Sequence, residues 1–334
     1  MDNILIVRLS SLGDIIHTLP AAAALRRHFP EARLRWAVER PGRDILDLVT
    51  GLDEIIVIGR KIWKRTLRDL ARRNQTVFDF QGLVKSALLS LLSRSRRTIG
   101  FSAANCREPL AAAFYRNRLP PFGEDNLHVI SKNLKLLSLV GVEEEPYEFP
   151  LVIPEDLRLS VLAKLGRQGY TADRKLLLVN VGAAWPTKRW LAERWVELLQ
   201  TLRLEGAYPM LLWGNRPENE VARAVAGQTG TPLVPDLSVR EVLALLRMTS
   251  LLVSGDTFAL QAACALRVPV VGLFGPTNPR RNGPFAATDR SVAGTVTCGP
   301  CYKRACRTPD CLRAITVPEV SASVRAAWSK EFGR

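Results

Sequence analysis

Long apolar runs are missing from this sequence: none reaches the roughly 18 to 20 uninterrupted residues that a membrane-spanning helix needs. The N-terminal apolar stretch is broken by Arg8 and Asp14, and no signal peptide is recognisable. Low-complexity segments and solenoid repeats are also missing, which excludes the disordered and repeat classes. We therefore expect a folded cytoplasmic protein, with peripheral contact at the inner face of the cytoplasmic membrane left open.

Acidic residues are scarce relative to basic ones, since 32 Asp and Glu stand against 47 Lys and Arg, a formal net charge of +15. This excess favours an anionic partner, and charge alone leaves open nucleic acid, an acidic membrane surface or an acidic glycolipid. Basic and aromatic residues are not interleaved as they are in grooves for single-stranded nucleic acid. No dedicated nucleic-acid partner is therefore predicted.

Short apolar runs alternate with helical stretches, which predicts α/β domains built on parallel sheets. A polar, proline-containing stretch at 142–154 separates two such series. We predict two Rossmann-like, doubly wound domains at 1–155 and 156–334 that face each other across a cleft, with packing of the last helix back on the first domain left open. The predicted strands are 4–7, 34–38, 55–58, 76–80 and 97–101, then 175–181, 209–213, 251–254 and 268–274.

Polar loops follow several of these strands. Ligands of open α/β sheets bind beyond the carboxyl ends of the strands, so these loops should line the cleft. A helical stretch is expected after the first loop, to about residue 29, and further helices from about 189, 217, 239 and 257. The loops in question are 9–14, 182–188, 214–220 and 254–258.

The first loop carries a carboxylate, Asp14, next to Gly13 at the start of a helix. A carboxylate there could take a proton from an acceptor hydroxyl, and His17, one turn later, could orient that acceptor. Both residues also have structural interpretations, because Asp is a good helix cap and a lone His on a helix is commonly structural.

The loops of the second half carry residues suited to a nucleotide. Lys188 precedes a predicted helix, where a cation is favoured only if an anion also binds there, such as a diphosphate. Glu218 or Glu220 could accept hydrogen bonds from ribose hydroxyls. Asp256 and Thr257 head another helix and could hold the sugar and leaving-group oxygens. Each has a structural alternative: Lys188 could simply be solvated, the two glutamates could only stabilise the first turn of a helix, and Asp256 or Thr257 could only cap one.

Two further segments have open interpretations. One helical face between residues 61 and 72 is basic and could grip an anionic head group, or could simply be solvated. Four cysteines are clustered near the C-terminus, and their spacing is not the paired pattern of a zinc ribbon, so reduced structural cysteines are preferred to a metal site. These four are Cys298, Cys301, Cys306 and Cys311.

Together, the segments resemble glycosyltransferase family 9, the lipopolysaccharide heptosyltransferases, over nearly the whole chain, and most closely those that add the first heptose. Their order and spacing are far more specific than any single motif. The segments that carry the resemblance are RLSSLGDIIHTLPA, WPTKRW, WGNRPENE, SGDTFALQAACALRVPVVGLFGPTNP and the cysteine-containing tail.

The resemblance implies the GT-B fold and an inverting, metal-independent transfer of heptose from ADP-heptose to the Kdo-containing inner core of lipopolysaccharide, without a cofactor. Asp14 would be the general base and Lys188 the diphosphate partner. The implied donor residues are Thr187, Lys188, Glu218, Glu220, Asp256, Thr257, Phe258 and Gln261. The implied acceptor residues are Ser10, Ser11, Gly13, His17, Arg60, Lys61 and Lys64.

The chain departs from the family pattern at two positions. Phe258 and Gln261 stand where the family usually carries glycine and histidine. A bulky side chain at 258 would hinder backbone approach to a phosphate, and an amide at 261 cannot act as a cation. Another nucleotide sugar or acceptor, or a non-catalytic nucleotide- or glycolipid-binding role, therefore stays open as the alternative.

Overall fold

The chain folds into two compact units, Met1–Val152 and Ile153–Arg334. The computed structural model describes residues 1–59, 68–71, 75–124, 126–143, 146–286 and 289–332. The division falls within the polar stretch that separates the two series of strands in the sequence. The acceptor and donor roles assigned to the two domains remain predictions.

The first unit is a six-stranded parallel sheet in the order β3-β2-β1-β4-β5-β6. The 3₁₀ turn Pro109–Phe114 lies between β5 and β6, and a second 3₁₀ turn, Leu136–Val140, follows the last strand and helix of the unit. The strands are β1 Asn3–Val7, β2 Arg33–Glu39, β3 Glu54–Ile58, β4 Gln75–Asp79, β5 Arg97–Phe101 and β6 Asn117–Leu119. The helices are α1 Leu12–Ile16, α2 Leu19–His28, α3 Arg40–Leu46, α4 Val84–Leu92 and α5 Val129–Lys135.

The second unit is a five-stranded parallel sheet in the order β11-β10-β9-β7-β8. Its strands are β7 Lys175–Asn180, β8 Ala207–Leu212, β9 Leu251–Gly255, β10 Val270–Phe274 and β11 Arg290–Ala293. Its helices are α6 Glu155–Gly166, α7 Ala192–Thr201, α8 Arg216–Thr229, α9 Val239–Arg247, α10 Phe258–Ala265, α11 Pro279–Asn282, α12 Asp310–Arg313 and α13 Val317–Phe332.

The central strands are buried along their length because helices cover both faces of each sheet. In β1, Ile4 to Val7 are fully buried, and in β9 all five residues are buried. Burial on both faces explains why these strands are continuous apolar runs rather than alternating patterns. The prediction of α/β architecture with parallel sheets is confirmed.

Two helix boundaries differ from the sequence prediction. The helical stretch predicted to continue to residue 29 is two helices, because Pro20 lacks an N–H and its ring clashes with a preceding carbonyl, so the chain breaks at Thr18. The helix expected from about residue 189 begins at Ala192. Before it, a 3₁₀ turn, Pro186–Lys188, leads into a stretch that buries Trp190 edge-on against Trp195, with ring centroids 4.7 Å apart.

The last helix, α13, contributes to the core of the second unit. Its side chains Val320, Val324 and Trp328 belong to the same apolar cluster as Val179 of β7 and Val253 of β9. No helix in the described part of the chain is both long enough and apolar enough to cross a bilayer.

A carboxyl group with an unfavourable environment precedes β11. Burial raises the pKa of Asp289 to about 6, and the hydrogen bonds from the backbone N–H groups that face it only partly offset this. Because the folded-state pKa lies above the ordinary value, this group lowers the stability of the wild type as pH rises from about 4 past 6. We expect Asp289→Asn to raise the free energy of unfolding at pH 8 by about 1 to 2 kcal/mol, after discounting for partial exposure, and to leave it unchanged at pH 4.

Denaturant unfolding at the two pH values measures this difference. Asp236→Asn, at an exposed position of the same unit, is the matched control and should show no pH-dependent gain. An equal effect of Asp289→Asn at both pH values would show instead that the pKa of Asp289 is not raised in the folded protein.

Candidate functional site

Each sheet has one topological switch point, where connections leave in opposite directions and a crevice forms at the carboxyl ends of two adjacent strands. In the first unit it lies between β1 and β4, and in the second between β7 and β9. The loops that follow these four strands therefore form the two places in the fold best suited to hold ligands.

At the first switch point, hydrogen bonds join the loop after β1 to the loop after β4. The Arg8 guanidinium donates to the carbonyl of Phe80, and the Leu9 N–H donates to Oε1 of Gln81 at 2.7 Å. Arg8 is buried and also pairs with Asp14, with Nη2 and Oδ1 2.8 Å apart. The loop that carries Asp14 is thus bonded to the loop after β4 and held internally by the Arg8–Asp14 pair.

Asp14 occupies the third position of α1 and forms a capping box with Ser11. Its Oδ2 accepts from the Ser11 N–H at 3.2 Å and the Ser11 hydroxyl at 2.9 Å. Burial alone would raise the pKa of Asp14, but Arg8, His17 and the Ser11 hydrogen bonds outweigh it and lower the pKa to about 2. The carboxylate is therefore ionised at neutral pH. Because the side chain is 32% exposed, a ligand can reach it.

The other predicted acceptor residues have different environments. Ser10 and Gly13 are partly exposed beside Asp14, and Ser11 is exposed. His17 is buried in a T-shaped contact with His128, with centroids 5.8 Å apart, so it offers little surface to a substrate. Three predicted acceptor residues lie outside the described part of the chain, namely Arg60, Lys61 and Lys64.

At the second switch point, Lys188 and Asp256 form a close ion pair. Lys188 Nζ lies 2.7 Å from Asp256 Oδ2, and the side chains are only 16% and 7% exposed. Gly255 allows this approach, because a Cβ there would come within 2.9 Å of the Lys188 carbonyl oxygen. The sequence predicted both residues as donor ligands, and the structure brings them together from positions 68 residues apart.

The helix that follows, α10, begins at a polar network. Thr257 is its N-cap and accepts from the Leu260 N–H. The side-chain amide of Asn180, at the end of β7, donates to Oγ1 of Thr257 at 3.0 Å and to Oγ of Ser254 at 2.9 Å. These bonds hold the first turn of α10 beside the carboxyl end of β7. The remaining first-turn N–H groups of the helix form a favourable environment for an anion.

The two departures from the family pattern lie on α10. Phe258 is its first residue and is partly exposed. Gln261 is buried, and its Nε2 donates to Oδ1 of Asp256 at 3.3 Å and to the carbonyl of Asn282 at 2.7 Å. Predicted as a donor ligand, Gln261 therefore contacts Asp256 directly and restricts the orientation of that carboxylate.

The cysteine-containing segment contacts the Lys188 loop. The Thr187 hydroxyl, predicted to bind the donor, donates to the carbonyl of Lys303 at 2.7 Å. The ring of Trp185 carries two cations, with Lys188 Nζ 4.3 Å and the Arg304 guanidinium carbon 4.9 Å from its centroid. This contact places the exposed Arg304 beside Lys188, which the sequence predicted to bind a diphosphate.

The two candidate ribose ligands are distinguished by their surroundings. Glu218 is buried at the start of α8 and accepts from the Gly214 N–H at 2.8 Å, and its carboxyl lies against Gly182, just after β7. Glu220 is largely exposed and pairs with Arg216 on the helix surface. The geometry favours Glu218 as the residue near a ligand at the carboxyl ends of β7 and β8.

The four clustered cysteines are free thiols that differ in exposure. Cys298 and Cys306 are exposed, Cys301 is partly exposed and Cys311 is buried. Within the described residues, no group of three or more His, Cys, Asp or Glu side chains is arranged to hold a metal ion.

Sequence reasoning missed several residues of these sites. Arg8, Gln81 and Asn180 form bonds between loops that are distant in sequence. Asn282 contacts Gln261, and Arg304 lies over the ring of Trp185. The only available signal was the position of the first three at or just after the carboxyl end of a predicted strand.

Two doubly wound units, each with a polar cluster at its switch point, define an α/β protein with the architecture of the GT-B glycosyltransferases. Solved structures share this fold. A family 9 glycosyltransferase from Veillonella parvula superposes with a TM-score of 0.83 at 21% identity, covering 98% of this chain and 97% of that one. The Escherichia coli heptosyltransferase WaaC with ADP-2-deoxy-2-fluoro heptose gives 0.75 at 24% identity, covering 97% and 99%.

Sequence comparison identifies the family. The family model for glycosyltransferase family 9 (heptosyltransferase) matches residues 63–312. Lipopolysaccharide heptosyltransferase 1 of Pseudomonas aeruginosa is 30% identical over 320 residues, which cover 91% of this chain and 87% of the relative. The chain belongs to glycosyltransferase family 9, and it is a heptosyltransferase.

Proposed function

We propose that this enzyme transfers heptose from ADP-heptose to the Kdo-containing inner core of lipopolysaccharide, with inversion at the anomeric carbon and without a metal or other cofactor. The first unit would bind the acceptor and the second the donor. The names of the relative from Pseudomonas aeruginosa and of the WaaC complex support the acceptor and the donor. We further propose the cytoplasm as its location, with the membrane surface as a partner.

The observation that carries the proposal is the Lys188–Asp256 pair at the N-terminal end of α10. A nucleotide sugar presents a diphosphate next to sugar hydroxyls, and this site presents a cation next to a carboxylate. Lys188 and the first-turn N–H groups of α10 suit the diphosphate, and Asp256 suits the hydroxyls. Glu218 is the proposed ribose ligand.

In the proposed reaction, Asp14 accepts the proton of an acceptor hydroxyl. The oxygen of that hydroxyl attacks the anomeric carbon from the face opposite the diphosphate. The bond from the anomeric carbon to the diphosphate oxygen breaks, and ADP leaves with the negative charge. Lys188 and the helix N-terminus stabilise that charge. A single carboxylate on the acceptor side is what an inverting displacement requires.

The test is turnover with ADP-heptose and a deacylated Kdo-containing acceptor, followed by mass spectrometry and the anomeric proton coupling of the product. We expect transfer with inversion, no transfer from UDP-glucose, and no loss of rate with a chelator. ADP-heptose without acceptor is the control for hydrolysis. Binding of ADP without any transfer would refute the acceptor assignment, and failure to bind ADP would refute the donor assignment.

A further inference from the structure

Helix α4 of the first unit, Val84–Leu92, exposes three of its four leucines and buries its serines, while the fourth leucine, Leu89, belongs to the apolar core. Ser86, Ser90 and Ser93 are buried, and their hydroxyls donate to backbone carbonyls within the same turn of chain at 2.9, 3.0 and 2.6 Å. Leu88, Leu91 and Leu92 lie on the opposite, exposed side. Three leucines on the exposed side are unusual, because an amphipathic surface helix normally presents polar residues there.

A fourth exposed leucine lies on the neighbouring element. The 3₁₀ turn Pro109–Phe114 packs against α4, and Glu108 joins the two, since its Oε2 accepts from the Val84 N–H at 2.7 Å and its N–H donates to the Gly82 carbonyl at 3.0 Å. The leucine face is defined here as Leu88, Leu91, Leu92 and Leu110, which are 36% to 66% exposed. Clustered exposure of this kind marks an interaction surface.

The surroundings of the leucine face are strongly basic. Residues 84–118 contain seven Lys and Arg and one acidic residue, Glu108, which already accepts the hydrogen bond from Val84. Arg94 and Arg96 are exposed just beyond the end of α4, and Arg116 donates to the Arg96 carbonyl at 3.4 Å. Arg107 is exposed near the other end, where its N–H lies by Gly82.

Apolar side chains flanked by arginines match the interface of an anionic bilayer, where leucines enter the acyl boundary and arginines meet phosphate groups. A protein partner would be expected to meet a mixed-charge rim, whereas residues 84–118 carry charge of almost one sign. We propose that the leucine face and its flanking arginines dock the first unit on an anionic lipid membrane.

The acceptor loop lies near the start of α4, and the exposed leucines lie in the middle and at the end of the helix. Lys85, at the first turn of α4, forms an ion pair with Glu39 at the end of β2, so α4 begins at the same edge of the sheet as the Asp14 loop. A lipid-linked acceptor would then enter from the surface on which the unit rests. The entry of a lipid-linked acceptor rests on the proposed function, whereas docking on the membrane needs no substrate.

Docking is tested by co-sedimentation of the full chain with vesicles of phosphatidylcholine alone and of phosphatidylcholine with phosphatidylglycerol. We expect preference for the anionic vesicles that weakens with salt. Replacing all four leucines by serine should reduce binding about tenfold or more, as should Arg94→Ser with Arg96→Ser and Arg107→Ser. Leu110→Ser alone, at the most exposed position, covers the case in which the quadruple variant does not fold.

The matched control is Val152→Ser with Leu159→Ser, two apolar side chains that are 56% and 51% exposed elsewhere in the chain. It should bind vesicles as the wild type does. Equal loss in the control, or wild-type protein that ignores anionic vesicles, would overturn the proposal. So would a leucine face that holds two copies together, seen as a concentration-dependent dimer that the serine variants abolish without any change in vesicle binding.

Turnover separates this proposal from the proposed function. The leucine variants should keep the wild-type rate on a deacylated, soluble acceptor and lose rate on the same acceptor embedded in vesicles. Vesicle binding that depends on the leucines, without transfer to either acceptor by any variant, would leave docking intact and refute the acceptor assignment alone.

Discussion

Asp14→Asn is expected to reduce kcat by about 10²- to 10⁴-fold, the usual contribution of a general base, while the affinity for ADP stays unchanged. Asparagine keeps the size of the side chain and can still accept from Ser11, but it cannot take a proton. Steady-state transfer to a soluble acceptor gives kcat, and calorimetric titration gives the affinity for ADP. A loss confined to kcat would place Asp14 in the chemical step.

The competing interpretation, in which Asp14 is only a helix cap, has a matched control in the second unit. Glu241 has the same position in a capping box, accepting from the Ser238 N–H at 2.9 Å and hydroxyl at 3.0 Å, and it also pairs with a cation, Lys164. Glu241→Gln should cost about 1 kcal/mol of stability and leave kcat within experimental error. If Asp14→Asn behaves in the same way, the general-base assignment is wrong.

The low pKa of Asp14 adds a condition to this prediction. With a pKa of about 2, the carboxylate is ionised at every pH at which the enzyme works, but it is a weak base in the free protein. An acceptor hydroxyl that replaces the Ser11 hydroxyl as donor removes one of the contacts that lower the pKa. We therefore expect that kcat/KM, which reports the free enzyme, shows no acidic limb from Asp14 above about pH 4.

Much of the fold could be predicted from the sequence because its information is local. The apolar runs 4–7 and 251–254 are continuous, each is followed by a polar loop, and a helix comes next, so the strand order along the chain and the ligand-side loops follow from pattern alone. The break between α1 and α2 was also visible in principle at Pro20. The late start of α7 was not, because burial of Trp190 against Trp195 is a tertiary contact.

The candidate sites were predicted as residues and not as arrangements. Lys188 and Asp256 each had a credible structural alternative, and only folding shows that they form one pair. Gln261 was predicted as a donor ligand, and its amide is used to hold Asp256 and the Asn282 carbonyl. The Thr187 hydroxyl is bonded to a carbonyl 116 residues away. Such contacts depend on which loops the sheet order brings together, and single-sequence patterns do not contain that information.

Lys188→Ala is expected to weaken ADP binding by about 10- to 100-fold, because one charge-assisted hydrogen bond to the diphosphate is lost. Asp256→Asn should act in the opposite direction on the same ligand. It releases the ammonium group from its partner at 2.7 Å, so ADP should bind more tightly than in the wild type. Transfer from ADP-heptose should nevertheless fall, since a carboxylate that receives the sugar hydroxyls is missing. Titration with ADP and turnover with ADP-heptose measure the two effects separately.

The opposite signs decide between a ligand-binding pair and a structural one. If the Lys188–Asp256 pair only stabilises the fold, each single substitution leaves the remaining charge buried without its ionic partner. Both variants should then have a lower free energy of unfolding, while ADP affinity changes little. Lys164→Ala, which breaks the Lys164–Glu241 pair at 2.6 Å elsewhere in the same unit, is the control for general destabilisation and should not alter ADP binding. In the double variant, Lys188→Ala with Asp256→Asn, ADP affinity should exceed that of Lys188→Ala alone, because the second substitution removes a carboxylate left unpaired beside the diphosphate.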